Sequence, residues 1–136
     1  MQIKDVMSPN AVVTTPEARC CDAAKLMREH DIGALPVHRD EKLLGMVTDR
    51  DICCEVVARE QSHETPVERA MSDRVLYCRD SDDTRDVARN MADNAVRRLP
   101  VVDDDKRLVG MISLTDIAER DDEDAAGESL AKIKAS

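Results

Sequence analysis

The chain carries the same sequence pattern twice, at a nearly constant spacing. Residues 32–37 read IGALPV, and residues 96–101 read VRRLPV 64 positions later. After one extra residue in the acidic run at 103–105, GMVT at 45–48 is matched by GMIS at 110–113, 65 positions on. Two copies are too few for a solenoid. The repeat therefore predicts two similar units related by pseudo-twofold symmetry, with a crevice suited to a ligand.

The core of these units has to be built almost without aromatic side chains. The 136 residues are 42% hydrophobic but include no Phe, no Trp and a single Tyr. Seven Met are present, and their flexible side chains are suited to filling gaps in a core. The length suits one compact domain or two small lobes that share a core. The lack of aromatics argues against a base-stacking surface for nucleic acids.

The charge of the chain excludes further classes of partner. A formal net charge of −9 gives no general attraction to nucleic acids or to anionic membranes. No apolar run is long enough for a transmembrane helix. The N-terminal residues lack the apolar segment of a signal peptide, so we expect a cytoplasmic location.

The five cysteines predict reduced thiols rather than disulfides or a metal centre. A chain without an export signal is expected to keep its thiols reduced. The neighbouring pairs Cys20-Cys21 and Cys53-Cys54 lack the spacing of a zinc site, and the three histidines show no ligand pattern. Cys20 shares a helical apolar spacing with Ala23 and Met27, which favours a role in the core. A thiol-based redox response stays open as an alternative.

Each copy has the pattern of a strand, a helix, a two-stranded hairpin and a second helix. In the first copy we predict strands at 11–14, 35–37 and 43–47, a helix capped by Thr15, and a helix capped by Thr48. In the second copy we predict strands at 75–78, 99–102 and 108–113, and helices at 83–93 and from 115. A capping box at Thr65 predicts a short helix at 67–71. We expect domains at 1–60 and 67–122, a linker at 61–66, and an acidic tail at 123–136 with a marginal helix at 125–135.

These motifs resemble a known family. Leu-Pro-Val, a polar turn and then Gly-Met-Val-Thr-x-x-Asp at 45–51 resembles the signature of a cystathionine-β-synthase (CBS) domain, and 110–116 repeats it. The resemblance covers residues 1 to about 120. It implies an α/β (α+β) fold in which two β-α-β-β-α CBS units, related by a pseudo-twofold axis, form one Bateman module.

The first copy has residues that suit a nucleotide. Thr48, with free backbone N–H groups at a helix start, suits a phosphate, and Arg50 adds charge-assisted hydrogen bonds. Asp51, one helical turn on, suits a ribose diol. The alternative is that Thr48 and Asp51 only cap the helix. Capping is compatible with binding, and the occurrence of the same pattern in both copies favours a site. With the adenine wall that the resemblance implies, the first predicted site comprises Thr14, Ile32, Ala34, Pro36, Thr48, Arg50 and Asp51.

The second copy has a chemically different set. Thr115 stands in place of Arg50, and Arg97 and Arg98 either supply the positive charge or form surface pairs with carboxylates. We therefore predict unequal affinities at the two sites, and weaker binding of ATP than of AMP without a divalent cation. The second predicted site comprises Cys78, Val96, Arg97, Arg98, Pro100, Ser113 and Asp116.

No catalytic or metal-binding motif emerges from the chain, so we expect no enzyme activity and no required cofactor. The resemblance implies a regulatory module that binds AMP, ADP or ATP, with NAD and S-adenosylmethionine as further candidates. Such a module acts on an unidentified protein partner in trans or through a homodimer formed by its helices. A ligand-free interaction protein is the alternative from a different class.

Overall fold

A computed structural model describes residues 1–120 and residue 133 of the chain. The rest of the acidic tail, with its expected helix at 125–135, lies outside the described residues. The chain folds as two units. The continuous unit is Val12–Val75, and the composite unit joins Met1–Ala11 to Leu76–Ser136. The N-terminal segment therefore packs with the second sequence repeat rather than with the first.

The continuous unit is built around one hairpin and two helical segments. Strands β1 (Ala34–Arg39) and β2 (Lys42–Thr48) pair antiparallel through a two-residue turn, in which Asp40 and Glu41 both have positive φ. Such a turn matches the twist of the strands that it joins. Helix α1 (Cys20–His30) precedes the hairpin. Helix α2 (Asp49–Ile52) follows it and continues as a π-helical turn over Cys53–Val57, and a 3-10 turn forms at Val67–Arg69.

The composite unit repeats this arrangement with one more paired strand. A 3-10 turn at Ile3–Asp5 and strand β3 (Cys78–Arg79) precede helix α3 (Thr84–Asp93). Strand β3 pairs parallel with β4 (Arg98–Val102), which pairs antiparallel with β5 (Leu108–Ser113). Helix α4 (Leu114–Arg120) starts at the end of β5. The predicted fold class, with two related helix-and-hairpin units, is confirmed.

The first helix of each unit ends in the same way. Asp31 after α1 and Ala95 after α3 both adopt the left-handed conformation, with φ of 52° and 54°. The next residue then turns its N–H back to the helix, as Ile32 does to the Met27 carbonyl and Val96 to the Met91 carbonyl. These bonds satisfy carbonyl groups that a helix end otherwise leaves unpaired. They also direct the chain from the helix into the hairpin.

Each unit has its own core of aliphatic and sulfur-containing side chains. Cys20 is buried in α1, as the sequence predicted. Among the described residues no helix is both long and apolar enough to span a bilayer. The continuous unit buries Cys20, Ala23, Met27, Leu35, Val37, Val47, Val56, Val67 and Ala70. The composite unit buries Ile3, Val6, Cys78, Val87, Ala88, Met91, Leu99, Val101, Ile112, Leu114 and Ile117, and Ile133 packs against them.

A Met-Ser segment adds a short antiparallel contact to each hairpin. Ser8 exchanges two backbone hydrogen bonds of 2.9 and 3.0 Å with Met111, and Ser72 does the same with Met46. A Cβ placed on Gly110 would lie 2.5 Å from the Ser8 carbonyl oxygen, and one on Gly45 would lie 2.4 Å from that of Ser72. The repeated glycines are therefore explained by the close approach of this segment.

The structure corrects several of the predicted elements. Helix α1 begins at Cys20 with Arg19 as its N-cap, and Thr15 does not cap it. The backbone before α1 is instead bonded to the 66–68 segment, since the Ala18 carbonyl accepts from the Val67 N–H. The capping box at Thr65 is also wrong, because the Thr65 hydroxyl donates to the Ser62 carbonyl. Of the strands predicted at 11–14 and 75–78, only an isolated bridge at Thr14 and the pair Cys78–Arg79 form.

Candidate functional site

In the continuous unit, one face of the hairpin carries the core and the other carries candidate site residues. Alternation along β1 directs Leu35 and Val37 into the core. Ala34 pairs with Thr48 across the ladder, and Pro36 pairs with Met46. Directly paired residues share a face of the sheet. Ala34, Pro36 and Thr48 therefore lie together on the face opposite to the core, at and beside the start of α2.

Thr48 and Asp51 form a reciprocal capping box at the start of α2. The Asp51 N–H donates to Thr48 Oγ1 at 3.0 Å, and the Thr48 N–H donates to Asp51 Oδ2 at 2.9 Å. The prediction of free backbone N–H groups at this helix start is wrong. The Asp49 N–H donates to the Gly33 carbonyl, and the Arg50 N–H donates to Asp49 Oδ1. What remains for a ligand is the Thr48 hydroxyl proton, the second Asp51 oxygen and the exposed Arg50 guanidinium, none bonded to a described residue.

The composite unit places the equivalent residues at the start of α4. Ser113 and Asp116 form the same box, with both hydrogen bonds at 3.0 Å. Arg98 pairs with Ser113 across the ladder, so their side chains share a face, as those of Ala34 and Thr48 do. Neither Arg97 nor Arg98 forms an ion pair with any residue that the structure describes. The surface pairing considered as their alternative role is therefore not found in the described part of the chain.

The predicted wall residues take matching places in the two units. The Thr14 N–H donates to the Pro36 carbonyl, which sets Thr14 beside β1. Cys78 stands at the equivalent place beside β4, with its thiol 3.9 Å from the Pro100 carbonyl oxygen. Burial, with Asp82 and Asp80 nearby, raises the pKa of the Cys78 thiol to about 12. Cys78 is thus a neutral part of the core at any physiological pH.

Ile32 and Val96, two further residues of the predicted adenine wall, lie at the edge of the core in their units. Ile32 is half-buried against the core of the continuous unit, and Val96 is half-buried against that of the composite unit. Pro36 and Pro100 are buried, and a proline lacks the N–H that a ligand would use. Ile32 and Val96 thus present part of an apolar side chain to solvent, whereas Pro36 and Pro100 present almost none.

The cysteines do not gather with other potential ligands into a metal site in the described part of the chain. All five cysteines are free thiols, with Cys53 and Cys54 exposed on the π-helical turn. Burial raises the pKa of the Cys20 thiol. No group of three or more His, Cys, Asp or Glu within the described residues has the geometry to hold a metal ion. Cys53 and Cys54 are the most accessible of the five thiols, and Cys21 is partly exposed.

One residue near the predicted site was missed by the reasoning from sequence. The Asp49 carboxylate lies against Gly33, since a Cβ placed on Gly33 would be 3.1 Å from Asp49 Oδ2. Its counterpart in the composite unit is Leu114, which is buried in the core. The signal was visible in the alignment of the two copies, where an acidic residue faces an apolar one at the first helical position.

Comparison with known families identifies both halves of the chain. The sequence model of the CBS domain family matches residues 3–58 and 67–123. The CBS domain-containing protein YhcV of Bacillus subtilis is 35% identical over 132 residues, covering 96% of this chain and 94% of YhcV. Hypoxic response protein 1 of Mycobacterium tuberculosis is 34% identical over 117 residues, covering 85% of this chain and 81% of that protein.

Solved structures with the same fold include complexes with small molecules. Hypoxic Response Protein I with two coordinated zinc ions has a TM-score of 0.80 at 32% identity, covering 88% of this chain and 98% of that one. CBSX2 in complex with AMP has a TM-score of 0.75 at 29% identity, with 98% of both chains covered. The CBS domain pair of protein MJ0100, in complex with 5-methylthioadenosine and S-adenosyl-L-methionine, has a TM-score of 0.75 at 28% identity, covering 88% and 94%.

Proposed function

The chain belongs to the CBS domain family, and on that premise we propose that it is a regulatory module that binds adenosine-containing ligands. Two structural neighbours, CBSX2 and the MJ0100 domain pair, hold AMP or adenosyl-sulfur compounds. The proposal assigns no reaction to the chain. Binding of the ligand transmits a signal to a partner protein or through the geometry of a homodimer, because a ligand shifts an equilibrium only by its preference for one state.

The observation that carries the proposal is the same polar constellation at the same place in both units. A hydroxyl and a carboxylate stand at each junction of hairpin and helix, in Thr48 with Asp51 and in Ser113 with Asp116. In each pair Oδ2 accepts the capping N–H, while Oδ1 is bonded to no described residue. A carboxylate oxygen left in this way is a ready acceptor for a ribose hydroxyl. In this proposal, Ile32 in the continuous unit and Val96 in the composite unit border the adenine.

The test is thermal unfolding with a panel of adenosine compounds, followed by calorimetric titration of those that shift the midpoint. A ligand at a hundred times its dissociation constant adds about 2.7 kcal/mol to the free energy of unfolding. In a chain of this size that raises the midpoint by several degrees. The protein is first shown to be free of nucleotide carried over from expression, because a bound nucleotide would mask the shift.

Variants link the shift to the proposed residues. We expect Asp51→Asn combined with Asp116→Asn to remove the shift, because an amide accepts the capping hydrogen bond and removes the negative charge. Asp40→Asn combined with Asp104→Asn is the matched control, since it removes the same charge from exposed hairpin turns of the two units. A shift that survives in the first double variant contradicts these sites. No shift with any compound contradicts the proposed function.

The homodimer belongs to the same proposal, and an apolar groove in the continuous unit supports it. The groove runs between α1 and the helical segment formed by α2 and the π-helical turn after it. It is lined in part by Ala24, Ile52 and Val57. Val57 is 67% exposed and lies next to the other apolar residues of the groove, so the contiguous patch is open to a partner. We expect sedimentation to show a dimer, and Val57→Asp to yield monomers. Leu76→Asp is the control at another exposed aliphatic residue, and a monomeric parent protein contradicts the homodimer.

A further inference from the structure

The two candidate sites differ in charge at four matched positions. The match is structural, because the Asp49 N–H donates to the Gly33 carbonyl at 2.9 Å and the Leu114 N–H donates to the Arg97 carbonyl at 3.1 Å. Each hairpin thus meets its helix through the same backbone bond. The residues around that bond are Gly33, Ala34, Asp49 and Arg50 in the continuous unit, and Arg97, Arg98, Leu114 and Thr115 in the composite unit.

In the continuous unit a carboxylate of the chain already occupies the position that suits an anion. Asp49 Oδ1 accepts the Arg50 N–H at 2.8 Å, and Oδ2 lies beside Gly33. Asp51 adds a second carboxylate within the same turn. Two carboxylates against the single guanidinium of Arg50 leave a net negative charge, which repels a phosphate and attracts a cation.

In the composite unit the balance is reversed. Leu114 is 1% exposed and belongs to the core, so no carboxylate stands where Asp49 does. Arg98 shares a face with Ser113, which brings its Cβ to within roughly 4.5–5.5 Å of the Ser113 Cβ. Neither Arg97 nor Arg98 is paired with a carboxylate in the described part of the chain. The residues at the matched positions thus include two arginines and no carboxylate, and together with Asp116 their formal charge is net positive.

We propose that the two sites divide adenosine ligands by charge. The site of the composite unit binds phosphorylated adenosine compounds. The site of the continuous unit binds adenosine compounds without a phosphate, with a preference for those that carry a positive charge, such as a sulfonium. This inference rests on the proposed function, since both sites are taken to bind an adenosine group. Asp49, Arg97 and Arg98 are its specificity-determining residues.

The experiment is calorimetric titration with AMP, adenosine and S-adenosylmethionine, in buffer without divalent cations. We expect Arg98→Ala to weaken AMP at least tenfold and to leave adenosine and S-adenosylmethionine within twofold of the parent values. Arg89→Ala is the matched control, because Arg89 is an exposed arginine on α3 of the same unit and its loss changes the net charge equally. We expect Asp49→Asn to weaken S-adenosylmethionine several-fold while leaving AMP at the composite unit unchanged.

The outcomes separate this inference from the proposed function. If AMP binds but is lost in Asp51→Asn and retained in Arg98→Ala, the phosphorylated ligand occupies the other unit, and the division by charge is overturned while the proposed function stands. Equal effects of Arg98→Ala and Arg89→Ala also overturn it, because the effect is then only one of net charge. If none of the three compounds binds to the parent protein, the proposed function itself fails.

Discussion

In each hairpin, the carbonyl oxygen of a serine lies so close to one strand position that only glycine fits there. Gly110 faces the Ser8 carbonyl and Gly45 faces the Ser72 carbonyl at distances that leave no room for a Cβ. Neither glycine has positive φ, so the constraint is one of space and not of backbone conformation. The repeated glycine and the repeated Met-Ser pair are thus two halves of one contact.

We expect Gly45→Ala and Gly110→Ala each to lower the free energy of unfolding by about 1–3 kcal/mol, the usual cost of overpacking. The measurement is urea unfolding followed by circular dichroism. Gly33→Ala is the matched control, because the atom that a Cβ would meet there is the end of the Asp49 side chain, which has room to rotate. If all three variants lose the same stability, the explanation by close backbone approach is wrong.

The buried thiol of Cys78 makes stability depend on alkaline pH. Its pKa is near 12 in the folded chain and about 9 when exposed, so above pH 9 only the unfolded chain releases the proton. Stability is complete below pH 9 and falls as the pH rises toward 12. We expect Cys78→Ala to flatten the decline of unfolding free energy between pH 8 and pH 10.5. Cys54→Ala, which removes an exposed thiol, is the control, and an unchanged slope in Cys78→Ala contradicts the argument.

At the scale of the element, the two units use one set of local rules with different residues. Both first helices end in a left-handed residue, but one is Asp31 and the other is Ala95. Aspartate tolerates this conformation better than alanine, because its side chain bonds locally. The cap of α3 is therefore the more strained of the two.

We expect Ala95→Gly to raise the free energy of unfolding by about 1 kcal/mol, because glycine adopts the left-handed conformation without a Cβ clash. Asp31→Gly is expected to have a smaller effect. Ala92→Gly, inside α3, is the control and lowers stability through its cost to the helix. Unfolding midpoints in urea measure all three, and a loss of stability in Ala95→Gly contradicts the assignment of strain.

The accuracy of sequence-based prediction here depends on how local the interactions are. Strand β5 was predicted with its observed bounds, and Asp83 was found at the start of α3, because alternation and capping are local signals. The start of α1 was mispredicted, since residues 15–18 are held by the backbone of the 66–68 segment. The carboxylate of Asp49 was missed because the alignment of the two copies shows its difference from Leu114 but not its contact with Gly33.

At the scale of the whole molecule, the N-terminal segment packs with the second sequence repeat, and no local sequence pattern predicts this. Ile3 and Val6 are buried in the core of the composite unit, and Val67 is buried in that of the continuous unit. Residues close together in sequence order, such as Val6 and Val12, thus belong to different cores. A core substitution is therefore expected to destabilise the unit whose core contains that residue, and the units do not coincide with the sequence repeats.

We expect Ile3→Ala to weaken the composite unit by about 2–5 kcal/mol, the usual range for this change in a core. Hydrogen exchange read by mass spectrometry should accelerate in residues 76–120 more than in residues 12–75. Val67→Ala is the counterpart, with faster exchange concentrated in residues 12–75. If Ile3→Ala instead loosens 12–75 preferentially, the N-terminal segment supports the other unit and the assignment of cores is wrong.

Because the N-terminal segment packs in the composite unit, the two units are completed at different times during translation. Every residue of the continuous unit has been translated once Val75 is made, so that unit can close early. Ile3 and Ser8, by contrast, have to wait for Ile112 and Met111, more than a hundred codons later. At about 5–20 residues per second, that delay is roughly 5–20 s. During those seconds the first residues of the nascent chain have no finished core to enter, and one half of the molecule is complete while the other still lacks its final strand.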